Sequence, residues 1–333
     1  MKHFSFVVVK NTIILAIFFF AVKVQAQRPV FKQIELPDEI RSINSLLSEN
    51  DGVWIASAQG LYQYSNNRVT RFYEENDSEL YQINALAQDK EGNIWLGTYN
   101  GMLVKFSGNK IAESFDIKPK ATKDNHLITS ISVDKNNLSN EILLTTSGGE
   151  IFEVTPKTNS IKKIESPLNE NGTIYSILYG FAQTVWLCTS DGFYTMHKNS
   201  KWKKKPGLYT AYGLTENEGK YWAIGRDDHK MAVLMLYFNE SNNPNKRFVW
   251  KNFDLGRLTD IYTRFYELAF TKGEIAWIAS ESGLVRYNPI SGAIKVYEKD
   301  NNLHLKTMQH ITAQENIIWV SSSGRRFFKI ELN

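Results

Sequence analysis

The sequence predicts an all-β fold, a closed ring of seven four-stranded units, and three observations predict it. An apolar cluster centred on Trp recurs along the chain, with Trp54, Trp95, Trp186, Trp222, Trp277 and Trp319 in one place and Leu143 filling it in a further unit. Six places later, Gly60, Gly101, Gly149, Gly192 and Gly283 punctuate five of the units. The two ends of the chain supply complementary parts of one unit. The seventh repeat stops after its third strand, Arg326 to Ile330, while Val30 to Ile34 is a strand ahead of the first repeat with no unit of its own. A four-stranded unit of about 40 residues, repeated, is the pattern of a β-propeller blade. The expectation is therefore a seven-bladed β-propeller over residues 27–333, its ring closed by the N-terminal strand completing the last blade.

Residues 1–26 read as a secretory signal peptide. Lys2 and Lys10 precede an apolar run from Thr12 to Val22, and Val24-Gln25-Ala26 places small residues at the −3 and −1 positions of a cleavage site before Gln27. The run is short of the ~20 residues of a membrane span, and no such stretch follows Gln27. The expected location is outside the cytoplasm, in a periplasm or at the cell surface.

The second unit displays the blade pattern best. Ile83 to Leu86, Ile94 to Gly97, Met102 to Phe106 and Ile111 to Phe115 read as four short strands, with Asn100-Gly101 between the second and third. Asn-Gly between apolar runs predicts a two-residue type I′ turn, with positive φ at both positions. Two places after the Trp position stand Ala56, Gly97, Thr145, Cys188, Ala279 and Ser321, all small, as a close approach of a neighbouring chain segment requires. Cys188 is thus expected as a small core residue. The fifth unit departs from the rule: Ile224 takes the small place, Asp228 the glycine place, and Asn239 to Lys246 reads as an insertion. In the fourth, Lys201-Trp202-Lys203-Lys204-Lys205 falls on the outer strand, where lysines protect an edge from further pairing.

Composition narrows the function. Removal of residues 1–26 takes away three lysines and no acid, lowering the formal charge from +4 to +1. A nearly neutral chain lacks the dense basic face that nucleic acid calls for. The single Cys excludes an internal disulfide. No His or Cys spacing of a metal site, no Gly-x-Ser-x-Gly and no phosphate-binding loop occurs. No cofactor is expected.

The run Asp89-Lys90-Glu91-Gly92-Asn93-Ile94-Trp95-Leu96-Gly97-Thr98-Tyr99-Asn100-Gly101 resembles the two-component regulator propeller repeat, whose pattern joins an acidic residue, a Gly-Asn turn, Ile-Trp-Leu-Gly-Thr and a following Gly. WD repeats, which end a strand in Trp-Asp, and Asp-box repeats, which place Asp five residues before the aromatic, fit less well. The resemblance implies the extracytoplasmic sensing half of hybrid histidine kinases and related regulators, binding polysaccharide-derived signals without chemistry of its own. It supplies no catalytic residue. The chain is expected to be either a stand-alone binding protein or a truncated sensor.

Candidate ligand-binding residues come from the loops on one propeller face. Arg41, Tyr81, His126, Tyr209, Thr263 and Lys306 occupy one aligned position just before the first strand of their units; Tyr99, Asn100, Glu281, Arg325 and Arg326 come from turns between second and third strands. Aromatic, Arg, Asn and Glu side chains suit an oligosaccharide or other small molecule, stacking on ring faces and bonding hydroxyls. Arg226, Asp227 and Asp228, with His229, form the aberrant fifth turn, which reads either as an anion or cation site or as a solvated turn. A secreted carbohydrate enzyme, lyase or hydrolase, and a scaffold binding an envelope protein are the alternatives to a sensor.

Overall fold

The computed structural model describes residues 28–332 apart from 51, 75–81, 135–140, 198–199, 239–248, 256–262, 301–302 and 324. The expected signal peptide, Tyr81, the fifth-unit insertion and Gly324 therefore lie outside the described residues. Seven four-stranded antiparallel sheets form the seven blades. Their innermost strands are Ser45–Glu49, Ile83–Gln88, Ile128–Val133, Ile174–Tyr179, Thr210–Asn217, Phe265–Thr271 and Met308–Gln314. Each blade then runs outward in chain order, except the last. There Phe327–Leu332 pairs with Pro29–Ile34, in a register that sets Pro29 opposite Leu332 and Ile34 opposite Phe327. The ring closes as the sequence predicts.

The second strand of each blade is buried on both faces, which explains its unbroken apolar run. In blade 2, Ile94–Thr98 has no exposed residue. Alternation sends Ile94 and Leu96 into the core shared with blade 1, and Trp95 into the core shared with blade 3. The same division recurs around the ring, so the seven apolar clusters are seven interfaces between adjacent blades. Burying one indole removes roughly 150–250 Å² from water, worth about 4–6 kcal/mol as an upper estimate.

An indole in a core still carries an N–H that must be bonded. Asp89 meets that need in blade 2: its carboxylate accepts from the Trp95 Nε1–H at 3.1 Å and from the backbone N–H groups of Glu91 and Asn93. The Asn93 amide donates to both of its oxygens. Glu49 accepts from Trp54 at 2.6 Å, and the Thr271 hydroxyl from Trp277 at 3.2 Å. The acidic residue of the repeat thus ties its Gly-Asn turn to its Trp.

The small position also has a physical cause. A Cβ on Gly97 would stand 2.5 Å from Ile128 Cγ2 of the next blade. Cys188 Sγ lies 3.6 Å from the Gly213 carbonyl, and full burial pushes its thiol pKa up, as a core residue requires. Blade 5 reverses the pair. Ile224 fills the small place, and the residue opposite it, Gly213, has no side chain. A Cβ there would lie 3.2 Å from Ile224 Cγ2.

The turns correct one expectation. In the Asn100-Gly101 pair only Gly101 has a positive φ, +81°, so the turn spans Thr98 to Gly101 and is not type I′. The cause is Thr98, whose buried hydroxyl accepts the Met102 N–H at 2.9 Å and draws the chain across one residue earlier. A hydroxyl recurs there in Ser57, Thr146, Thr189, Ser280 and Ser322, all buried. On the fourth blade's rim, Lys203–Lys205 forms the outer strand as expected.

Asp89→Ala should leave the Trp95 indole and the turn amides without their acceptor. The expected loss is about 2–4 kcal/mol in denaturant unfolding, and a loss below 0.5 kcal/mol would refute the assignment.

Candidate functional site at the channel mouth

The innermost strands surround a cavity of about 620 Å³ on the ring axis, lined by all seven blades. In six blades the pairing of first and second strands slips by one residue, and the extra residue is Asn84, Thr129, Tyr175, Tyr212, Tyr266 or Gln309. Asn44 takes the equivalent place in blade 1, its N–H bonded to the Ala56 carbonyl. A bulge re-aims the side chain it frees from the ladder. All seven freed side chains are polar, and all line the cavity.

The ring has two characters. On blades 1 to 3 its members are short and bonded into the scaffold. Asn44 and Asn84 donate their amide N–H to the carbonyls of Ile83 and Ile128, each on the next blade, at 2.9 Å. Thr129 bonds within its own blade, to Thr145. On blades 4 to 6 stand three tyrosines. The Tyr175 and Tyr212 rings lie 5.3 Å apart, and Arg264 sits over both Tyr175 at 5.9 Å and Tyr266 at 5.3 Å. Burial, partly offset by the Arg264 charge, raises the pKa of Tyr175 and Tyr266, so both phenols are neutral donors at ordinary pH. One residue deeper, Glu267 Oε1 lies 2.9 Å from His310 Nδ1 while Oε2 accepts the Ile311 N–H.

The loop residues singled out in the sequence form a rim around this mouth. The loops leading into the first strands and the turns between second and third strands are joined by backbone bonds, among them Tyr99 N–H to Gln82, Tyr209 N–H to Arg226, and Glu281 N–H to Arg264. Tyr99 and Tyr209 are the most open aromatics there, 52% and 60% exposed. Arg41, Glu281 and Lys306 are exposed; Lys306 lies 3.7 Å from Glu298. Arg325 is held by Asp38 at 3.0 Å and by the Leu36 carbonyl, and Arg326 by Ser322 and the His304 carbonyl. Asn100 Oδ1 accepts the Thr98 hydroxyl, and Thr263 is buried against Ser282. His126 is half-buried, its Nδ1 without a hydrogen-bond partner. None of these residues lines the cavity itself.

The fifth turn is tied together by its own side chains. Gly225 replaces the hydroxyl residue of the other blades, and a Cβ there would meet the Thr210 carbonyl at 2.2 Å. Arg226, 8% exposed, does the tying: its guanidinium donates to the Lys230 carbonyl at 2.7 Å and to the Thr263 carbonyl on blade 6. Asp227 accepts the N–H groups of His229 and Met231, while Asp228 and His229 are both 82% exposed. Among the described residues no group of three or more His, Cys, Asp or Glu is placed to hold a metal ion.

The polar ring was readable from sequence. In each unit one polar residue interrupts the apolar start of the first strand, as in Ile83-Asn84-Ala85, Ile174-Tyr175-Ser176 and Ala211-Tyr212-Gly213. It stands three places after the aligned loop position. Read alone it is a strand residue; only its repetition in all seven units marks a ring.

Residues 79–100 match the profile of the family described as two component regulator propeller, so the chain carries that repeat. No curated protein matches in sequence. Among solved structures, it is similar to virginiamycin B lyase from Staphylococcus aureus at 14% identity, over 92% of this chain and 100% of that one, with a TM-score of 0.70. It is also similar to the extracellular domains of two hybrid two component systems of B. thetaiotaomicron. BT4673 shares 15% identity over 90% of this chain, with a TM-score of 0.67, and BT3049 shares 17% over 90%, with a TM-score of 0.65. The chain spans 39% and 41% of those two domains. The likenesses establish the propeller fold.

Arg226→Ala should leave two buried carbonyls unbonded and lower unfolding free energy by about 2–4 kcal/mol. Asp228→Ala should change it by less than about 0.5 kcal/mol. Equal effects would contradict the tying role.

Proposed function

We propose that this propeller is an exported, non-catalytic sensor-type module that binds an oligosaccharide at the mouth of its channel. The observation that carries the reading is the ring of seven polar residues at one aligned place, six of them at bulges, with Tyr175, Tyr212 and Tyr266 on consecutive blades. Sugars offer apolar ring faces and a dense set of hydroxyls. Tyrosine faces match the first, and amide and hydroxyl groups the second. The two-component regulator repeat supports a sensing role, and the signal-type N-terminus supports export. Among the described residues no helix is long and apolar enough to cross a membrane. In this reading a signal would pass through contact with an envelope protein. No cofactor enters the reading.

One observation favours an enzyme instead. Glu267 holds His310 at 2.9 Å inside the channel, the arrangement that orients an imidazole for proton transfer. Both readings meet in one experiment. A panel of oligosaccharides at millimolar concentration should include one that raises the melting temperature by a few degrees. Tyr212→Ala should abolish that rise, because it removes one wall of the tyrosine cluster. No rise with any saccharide would refute the binding reading. Breakdown of the bound saccharide by wild type and not by His310→Ala would establish the enzyme.

A further inference from the structure

We infer that the ligand of this mouth is an anionic saccharide, and that Arg264 receives its acidic group. The inference rests on the saccharide reading above and deepens it.

Arg264 stands at the lip of the cavity, immediately before the inner strand of blade 6. Its guanidinium is placed by two rings, Tyr175 on blade 4 and Tyr266 beside it, and is exposed. Among the described residues no hydrogen bond or ion pair engages that guanidinium, so none of its five N–H donors is taken up by a described residue. Arg41 is also exposed on the rim but does not line the cavity, and three other mouth arginines are bonded into the scaffold. Arg226 is taken up by two carbonyls, Arg325 by Asp38 and Arg326 by Ser322 and a carbonyl.

Two acids stand near Arg264, and neither neutralises it. Glu267 is committed to His310 and to the Ile311 N–H. Glu281 belongs to the turn whose N–H bonds the Arg264 carbonyl, but its exposed carboxylate forms no ion pair with the guanidinium. A planar cation fixed over aromatic faces, with its fork unfilled, is built for a bidentate oxyanion. The tyrosines beside it offer faces and phenol hydroxyls to the sugar carrying that group. A uronate carboxylate and a sulfate ester share this chemistry, and the two are separable by experiment.

The test uses isothermal titration of wild type, Arg264→Gln and Arg264→Lys with three saccharides of matched length: an oligogalacturonate, a sulfated galacto-oligosaccharide and a neutral galacto-oligosaccharide. Arg264 is exposed, so equal melting temperatures of the three proteins confirm folding. Wild type should bind at least one acidic saccharide, with affinity falling as salt rises. Arg264→Gln should lose about tenfold or more of it, and Arg264→Lys should restore part, keeping charge without the fork. Preference for the uronate or the sulfate identifies the source of the anion. If the neutral saccharide binds as tightly as the acidic ones and Arg264→Gln is indifferent, this inference is wrong while the saccharide reading stands. If no saccharide binds wild type, both fall.

Discussion

Everything in this molecule depends on the second strand of each blade belonging to two cores at once. A strand buried on one face tolerates a neighbour that fits approximately. A strand buried on both must satisfy two neighbours whose spacing is set by the closure of the ring. Trp95 packs toward blade 3 while Ile94 and Leu96, its immediate neighbours, pack toward blade 1. A change in bulk at one blade is therefore felt at the next. Gly97 shows this directly, since a Cβ there would meet Ile128 of the next blade, and within blade 5 the larger Ile224 is matched by the absent side chain of Gly213. The acids and hydroxyls of the repeat serve the same requirement. Asp89, Glu49 and Thr271 bond three of the indole N–H groups that this packing carries out of water, while the buried Trp222 Nε1 has no hydrogen-bond partner among the described residues.

The candidate site draws on this scaffold at little cost to it. A bulge at the start of six of the inner strands frees one side chain from the ladder before the ladder becomes regular. On two blades the residue at this place, Asn44 or Asn84, bonds to the next blade, and on the third Thr129 bonds within its own. On three others it is a tyrosine, and these three are consecutive. The channel mouth is thus divided between a stitched side and a receptive side. Stability and recognition use the same position of the repeat on different blades, so binding can vary with the tyrosines while the packing pattern stays fixed.

Architecture was legible in the sequence because it is written once per unit. The Trp place, the turn glycines and the complementary ends carry blade number and closure, and Gly60, Gly101, Gly149, Gly192 and Gly283 all prove to have positive φ at their turns. The Asn100-Gly101 turn was misassigned because a dipeptide rule ignores Thr98, whose hydroxyl selects the longer turn. The site was legible only in outline. Tyr99, Tyr209 and Glu281 lie on the bonded rim of the channel mouth, and the residues lining the channel stand three places further in. Aligned columns show which residues are equivalent; they do not show that a bulge aims a strand residue inward. Arg226 was singled out for breaking the repeat, and the break has a structural cause in the crowding at Gly225.

The closing strand has a consequence for how the chain matures. Pro29–Ile34, the first strand of the described fold, completes its sheet only against Phe327–Leu332, the last. Synthesis delivers the first of these segments early and the second about 300 residues later. The early blades can form while the chain is still emerging, but the ring stays open until its final strand arrives, and closing so long a loop is slow. Through that interval Pro29–Ile34 has no sheet to join and presents unpaired strand edges. For this protein the hazardous stage is the wait before closure, when a second copy offering the same strand would compete for the seam.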